Sequence, residues 1–213
     1  MEEKVNDILY RIIALGDSGV GKTSILRRFA QGTFDEECLS TIGISFSFKE
    51  VKVKDGANIK IKCIDTAGQE KYRALGKNYY KNAEGILFVF SLDNEESFNH
   101  IEEWIQLFND NGGDIKDKPT FLIGNKSDII QRKIEQKSIE DLKNKIKFKH
   151  YKEISAKSNL GIEDLFKELT ELMYEKNKKY MEMKQQNITL ENDKQNRLDK
   201  EMKKNKKKCC LPV

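Results

Sequence analysis

Four cysteines and two histidines in 213 residues leave little material for disulfide or metal chemistry. Cys209 and Cys210 are neighbours near the C-terminus, Cys38 has no companion, and Cys63 lies in a strand-like pattern that reads as core. That is neither a disulfide framework nor a zinc spacing. His100 and His150 stand alone, with no cluster of ligating residues around either, and neither is assigned any chemistry. No apolar run approaches the ~20 residues of a membrane-spanning helix, and the charged opening Met1 to Asp7 lacks the character of a signal peptide. The expected setting is reducing and cytosolic, which makes the sequon Asn187-Ile188-Thr189 a coincidence. Internal repeats are also missing.

What is present is charge, unevenly placed. Of 39 basic and 35 acidic residues, 12 and 5 fall in 176–213, which leaves 27 and 30 in the first 175. The body is mildly acidic and the tail basic. Such a tail suits a membrane surface, a nucleic acid or plain solvation. The expected division is a folded domain over 1–175 and a flexible tail over 176–213, a coil or frayed helix whose apolar residues are too sparse to bury.

Within the body, strands alternate with helices. Ile8 to Leu15, Gly85 to Leu92 and Thr120 to Gly124 are apolar runs, as parallel strands covered on both faces require. Ile44, Phe46 and Phe48, then Val51 and Val53, alternate with a phase slip at Lys49-Glu50 that predicts a bulge. Asp55-Gly56 marks a hairpin turn into Ile59, Ile61 and Cys63, so this pair should be antiparallel and lie at a sheet edge. Asp93 with Glu96 resembles a capping box, ahead of Phe98, Ile101, Ile105 and Phe108 at helical spacing. Lys149 to Ile154 reads as a last strand, and Ile162 to Met173 as a last amphipathic helix. The pattern implies an α/β fold: a mostly parallel six-stranded sheet with one antiparallel edge strand and helices on both faces.

Between the first strand and helix runs Gly16-Asp17-Ser18-Gly19-Val20-Gly21-Lys22-Thr23, the G-x-x-x-x-G-K-[S/T] pattern, with Ser24 following. Its glycines let backbone N–H groups turn inward on a phosphate, and the helix N-terminus adds a favourable end for negative charge. Lys22 reaches the β- and γ-phosphates, and the Thr23 hydroxyl can ligate Mg²⁺. In a doubly wound sheet, ligands bind at the carboxyl ends of strands, and the remaining motifs begin there. Asp65-Thr66-Ala67-Gly68-Gln69 offers a carboxylate for Mg²⁺, an N–H on Gly68 near a γ-phosphate and Gln69 to orient water. Alone it would equally be an ordinary turn. Asn125-Lys126-Ser127-Asp128 offers an aspartate that can accept from both guanine N1–H and the 2-amino group, which adenine cannot match. Ser155-Ala156-Lys157 offers a backbone N–H to the guanine oxygen.

With all five motifs in order, the sequence from about Leu9 to Glu175 resembles a Ras-superfamily small GTPase with a P-loop NTPase fold. The resemblance implies that Phe34 packs against guanine, that Thr41 joins Thr23 and Asp65 at Mg²⁺, and that residues 65–80 form the second switch. Within the superfamily it resembles a Rab, through the phosphate loop, Ser40-Thr41-Ile42-Gly43, Tyr79-Tyr80-Lys81-Asn82-Ala83 and the double cysteine. Ser45 and Ile64 depart from Rab usage, which has Asp and Trp there; the Trp would join Phe46 and Tyr79 in an aromatic effector surface. The implied activity is slow GTP hydrolysis, with Gln69, Lys22 and Gly68 catalytic, in a monomeric switch of vesicle trafficking. A Ras- or Rho-like signalling GTPase and a nucleotide-locked scaffold are the alternatives. A small-molecule kinase would need an acceptor site and lid, neither of which is visible.

Lys203, Lys204, Lys206, Lys207 and Lys208 run into Cys209-Cys210-Leu211-Pro212-Val213. Cys210 is fourth from the end, as in a prenylation box, and Cys209 permits a second lipid. One chain anchors marginally, so a second chain or a basic patch is needed. The expectation is prenylation on both cysteines and residence on the cytoplasmic face of an intracellular membrane, cycling with cytosol. Effectors, an exchange factor, an activating protein and a prenyl-binding carrier follow from the resemblance. Nucleic acid is not expected, since the tail lacks interleaved aromatics.

Overall fold

The computed structural model describes residues 8–36, 41, 43–66 and 77–208, with side chains described as far as residue 186. The chain divides into two compact units, residues 1–173 and 174–213.

The first unit is built on a six-stranded sheet. Its strands are β1 (Ile8–Leu15), β2 (Ile44–Lys52), β3 (Asn58–Thr66), β4 (Gly85–Ser91), β5 (Thr120–Asn125) and β6 (His150–Glu153). Their order across the sheet is β2-β3-β1-β4-β5-β6. Only β2 runs antiparallel to its neighbour; the other pairings are parallel. β4 and β5 are buried at every position, which is why their sequences are apolar without alternation.

The helices are α1 (Lys22–Gln31), α2 (Lys77–Asn82), α3 (Glu95–Asn99), α4 (Ile101–Asp110), α5 (Gln136–Ile146) and α6 (Ile162–Lys208). On one side of the sheet Ile13, Leu15, Phe88 and Phe90 share a core with Trp104 and Phe108 of α4 and Ile139 and Leu142 of α5. On the other, Phe29 of α1 stacks on Phe166 of α6 with ring centroids 3.7 Å apart. Gly85 packs close to α6: a Cβ on it would lie 2.8 Å from Met173 Sδ and 3.1 Å from Leu169 Cδ1, so those side chains would have to shift.

Two expectations from the sequence need correction. The β2–β3 register runs unbroken from Ile44↔Thr66 to Lys52↔Asn58, so there is no bulge at Lys49-Glu50. The phase slip arises because Phe46 and Phe48 lie on the solvent face, 43% and 51% exposed, while Val51 shares the half-buried face with Ser47 and Lys49. Lys62 and Lys60 shelter those rings, with Nζ 3.9 Å from the Phe46 centroid and 5.7 Å from that of Phe48. The cap of α3 is Asn94, whose side chain accepts from Ser97 N–H at 3.2 Å; Asp93 instead accepts from Ser91 Oγ. Helix α6 continues beyond residue 175 to Lys208. In the second unit Tyr180, Met181 and Met183 are exposed.

Candidate nucleotide site

The strand ends β1, β3 and β5 and the loop after β6 bring the motifs to one edge of the sheet. Gly16, leaving β1 at φ +146°, has no room for a side chain: a Cβ would sit 2.1 Å from Val89 O. Gly21 at φ +96° faces the Asn125 amide, whose Nδ2 a Cβ would meet at 2.3 Å. Asn125 holds the loop through that amide. Its Nδ2 donates to Val20 O at 2.8 Å, and its Oδ1 accepts from Ala156 N–H at 3.2 Å. One buried side chain therefore ties the phosphate loop to the loop after β6.

Lys22 is buried and lies back along the loop, donating to Gly16 O at 2.8 Å and Asp17 O at 2.7 Å. Burial lowers its ammonium pKa to about 8, against the attraction of Asp65 and Asp17. A cation so desolvated gains from an anion placed over the loop.

Opposite, hydroxyls and a carboxylate converge. Thr23 Oγ1 is 2.7 Å from both Thr41 Oγ1 and Asp65 Oδ2, and Thr41 Oγ1 lies 3.3 Å from Asp65 Oδ2. Ser45 Oγ reaches the same carboxylate oxygen at 3.5 Å. Asp65 Oδ1 is buried and has no hydrogen-bond partner among the described residues. Burial raises the Asp65 pKa, while the Thr23 hydrogen bond and Lys22 oppose the rise. An all-oxygen set with one short-handed buried carboxylate fits Mg²⁺, which prefers oxygen donors and keeps waters for its remaining positions.

At the far end, Asp128 Oδ1 accepts from Ser155 Oγ at 2.5 Å, which orients the carboxylate. Lys126 stands at φ +65°, so the loop turns sharply between Asn125 and Asp128. A cavity of about 460 Å³ opens over these elements. It is lined by Ser18, Gly19, Gly21, Lys22, Thr23, Ser24, Phe34, Thr41, Asn125, Lys126, Asp128, Ala156 and Lys157, all expected from the sequence. Asp35, Glu36, Thr66, Asp93 and Ile129 line it as well and were not foreseen. Asp17, Val20, Asp65 and Ser155, also expected from the sequence, are not among the lining residues. Gly68 and Gln69 lie outside the described residues, as do Cys209 and Cys210.

The human Ras-related protein Rab-15 is 38% identical over 180 residues, covering 84% of this chain and 83% of that protein. Ras-related protein Rab-1 of Theileria annulata is 38% identical over 187 residues, covering 83% and 80%. Ras-related protein Rab-10 of Diplobatis ommata is 36% identical over 176 residues, covering 83% and 86%. A model of the Ras family matches residues 11–175. The chain is a Rab-type member of the Ras family. This Rab-type protein is a GTPase: it binds guanine nucleotides and hydrolyses GTP to GDP and phosphate.

Two supports of the Rab-type site carried no motif signal. Arg28, on α1, donates through Nε to Ala156 O and through a terminal nitrogen to Lys157 O, both at 3.0 Å, with its guanidinium 5.6 Å from the Phe34 ring centroid. It braces the loop that would meet the base. His100 and Trp104 both bind Asp17. The hydrogen-bond partner of His100 lies 83 residues away in the chain.

Proposed function

We propose that this Rab-type GTPase is a nucleotide-controlled regulator of intracellular vesicle traffic. The observation that carries the reading is the meeting of Thr23, Thr41 and Asp65 beside the buried Lys22, at one end of a cavity whose other end holds Asp128. Residues 17–24 cradle the phosphates through loop amides and Lys22. Phe34, Asn125, Lys126, Asp128, Ser155, Ala156 and Lys157 hold the guanine nucleoside. Thr23, Thr41 and Asp65 hold Mg²⁺, which when bound neutralises charge on the phosphate oxygens. Lys22 adds to that neutralisation, Gly68 donates its N–H to the γ-phosphate, and Gln69 aligns the attacking water. With no helical insertion after the first helix to supply an arginine in cis, unassisted turnover is on the order of 10⁻⁴ s⁻¹ and rises with an activating protein.

Thr41 stands in the first switch and Gly68 in the second, so loss of the γ-phosphate releases both. Effectors recruited at membranes, an exchange factor and a prenyl-binding carrier complete the cycle of a monomer that binds no nucleic acid. Buried Ile64 across from exposed Phe46, with Tyr79 5.5 Å from Phe46 between ring centroids, supports an effector surface centred on two aromatics. Prenylation of Cys209 and Cys210, with the basic run before them, supplies the anchor to the cytoplasmic face. Among the described residues no helix is long and apolar enough to cross a membrane.

Single-turnover hydrolysis of GTP and ATP, with Mg²⁺ and with chelator, tests the reading. GTP is cleaved only with Mg²⁺, ATP is not, and Gln69→Leu cuts the rate at least tenfold while fluorescent GTP still binds. Unchanged turnover in Gln69→Leu would refute the role of that side chain.

A further inference from the structure

A carboxylate in a loop that receives phosphates is an electrostatic liability, and Asp17 is the second residue of that loop. Its backbone carbonyl is one of the two that accept from Lys22, so any displacement of Asp17 also displaces the lysine's resting place. Its side chain, however, is fully engaged from behind. Oδ1 accepts from Trp104 Nε1 at 2.8 Å, and Oδ2 pairs with His100 Nδ1 at 2.7 Å. His100 is the junction of α3 and α4, and Trp104 N–H bonds back to His100 O at 3.1 Å. Spaced four apart, the two rings fall on one face of the helix start. Trp104 is buried, whereas the His100 side chain is 35% exposed and so open to protons from solvent.

We propose that His100 and Trp104 form a clamp on Asp17 that positions the phosphate loop for nucleotide, and that protonation of His100 tightens the clamp and slows nucleotide release. The inference rests on the guanine-nucleotide reading of the site. In the clamp the indole N–H and the imidazole Nδ1–H turn the carboxylate away from the phosphates. When imidazole is charged, it also offsets the negative charge that Asp17 brings to the loop.

The hydrogen bond to Asp17 raises the His100 pKa above its ordinary 6.5, aided by the charges of Asp17, Glu103 and Glu96 and opposed by its partial burial. Asp17 is the charged group facing it from the loop; Glu96 and Glu103 belong to its own two helices. A raised value means the charged pair is fully formed below pH 6.5 and is lost as pH climbs through the raised value. Release therefore quickens as pH rises beyond 6.5 and through the raised value.

The test follows dissociation of fluorescent GDP from the full chain with Mg²⁺, between about pH 6 and about pH 8.5. The wild-type rate should rise about three- to tenfold over that range, the magnitude of one half-exposed charge-assisted hydrogen bond. His100→Asn, which keeps a neutral donor, and Asp17→Asn should both lose the step. Trp104→Phe keeps the ring and removes the N–H, so release should be faster at every pH with the step intact. Proton NMR gives an independent readout: the His100 imidazole should titrate above 6.5 in the wild type and at lower pH in Asp17→Asn. A step of equal size in wild type and His100→Asn, or a flat wild-type profile, overturns the clamp while leaving nucleotide binding untouched. Absence of GDP binding altogether would instead overturn the reading on which the clamp rests.

Discussion

Asn125 has both ends of its amide in use, one on the phosphate loop and one on the loop after β6. Replacing it with Ala leaves the Val20 carbonyl and the Ala156 amide unpaired inside the site, where an unsatisfied group costs about 1–3 kcal/mol. Asn125→Ala should therefore speed GDP release about ten- to a hundredfold, read by displacement of a fluorescent nucleotide. Asn125→Asp keeps the acceptor for Ala156 but sets a carboxylate oxygen against Val20 O, a buried unpaired charge, so its release should be at least as fast as that of Asn125→Ala; a wild-type rate in both variants would show that the bridge is not what Asn125 contributes. This residue was visible in the sequence because it belongs to a motif with fixed spacing. His100, Trp104 and Arg28 were not. Each works through a partner far along the chain, and no local pattern distinguishes a histidine on Asp17 from one in solvent.

At the scale of elements, composition proved a sound guide to what forms and a poorer one to which residue does the work. β4 and β5 were legible as continuous apolar runs because a strand covered on both faces has no polar side to display. β2 misled because its aromatic residues face solvent, sheltered by lysines of β3, so period two pointed to the wrong face and invited a bulge. The start of α3 misled by one residue, since Asp93 and Asn94 are both good caps by type. Only one of them is turned toward the Ser97 amide. Asn94→Ala should lower unfolding free energy by about 1 kcal/mol in a urea titration at fixed nucleotide, and Asn94→Asp should restore most of it. No loss in Asn94→Ala would mean that the Ser97 hydroxyl, which donates to Asn94 O at 2.7 Å, holds this turn by itself.

For the whole molecule, the uneven charge and the division into two units concern the same stretch of chain. The unit from Tyr174 onward exposes Tyr180, Met181 and Met183 and is net basic, while the unit before it is net acidic. Sparse apolar residues suit a coil or a frayed helix alike, because apolar patterning reports packing, and a single helix needs none where its residues favour the helix locally. Lys, Glu, Gln and Met, which dominate 176–208, are all good helix formers. Truncation after Glu175 separates these possibilities. If 176–208 is helical in solution, the far-UV circular dichroism of the full chain should exceed that of the truncated chain by the signal of those residues, whereas a coil would leave the helical content unchanged. GDP affinity should stay within about twofold, because every residue of the site precedes the cut. The unlipidated full chain should also sediment with anionic vesicles at low salt and be released by high salt, since each lysine near such a surface contributes about 1 kcal/mol and that attraction is screened. The truncated chain should stay in the supernatant. Equal sedimentation of the two would move the membrane-binding charge from the tail to the folded body, whose excess of acidic residues makes that the harder outcome to explain.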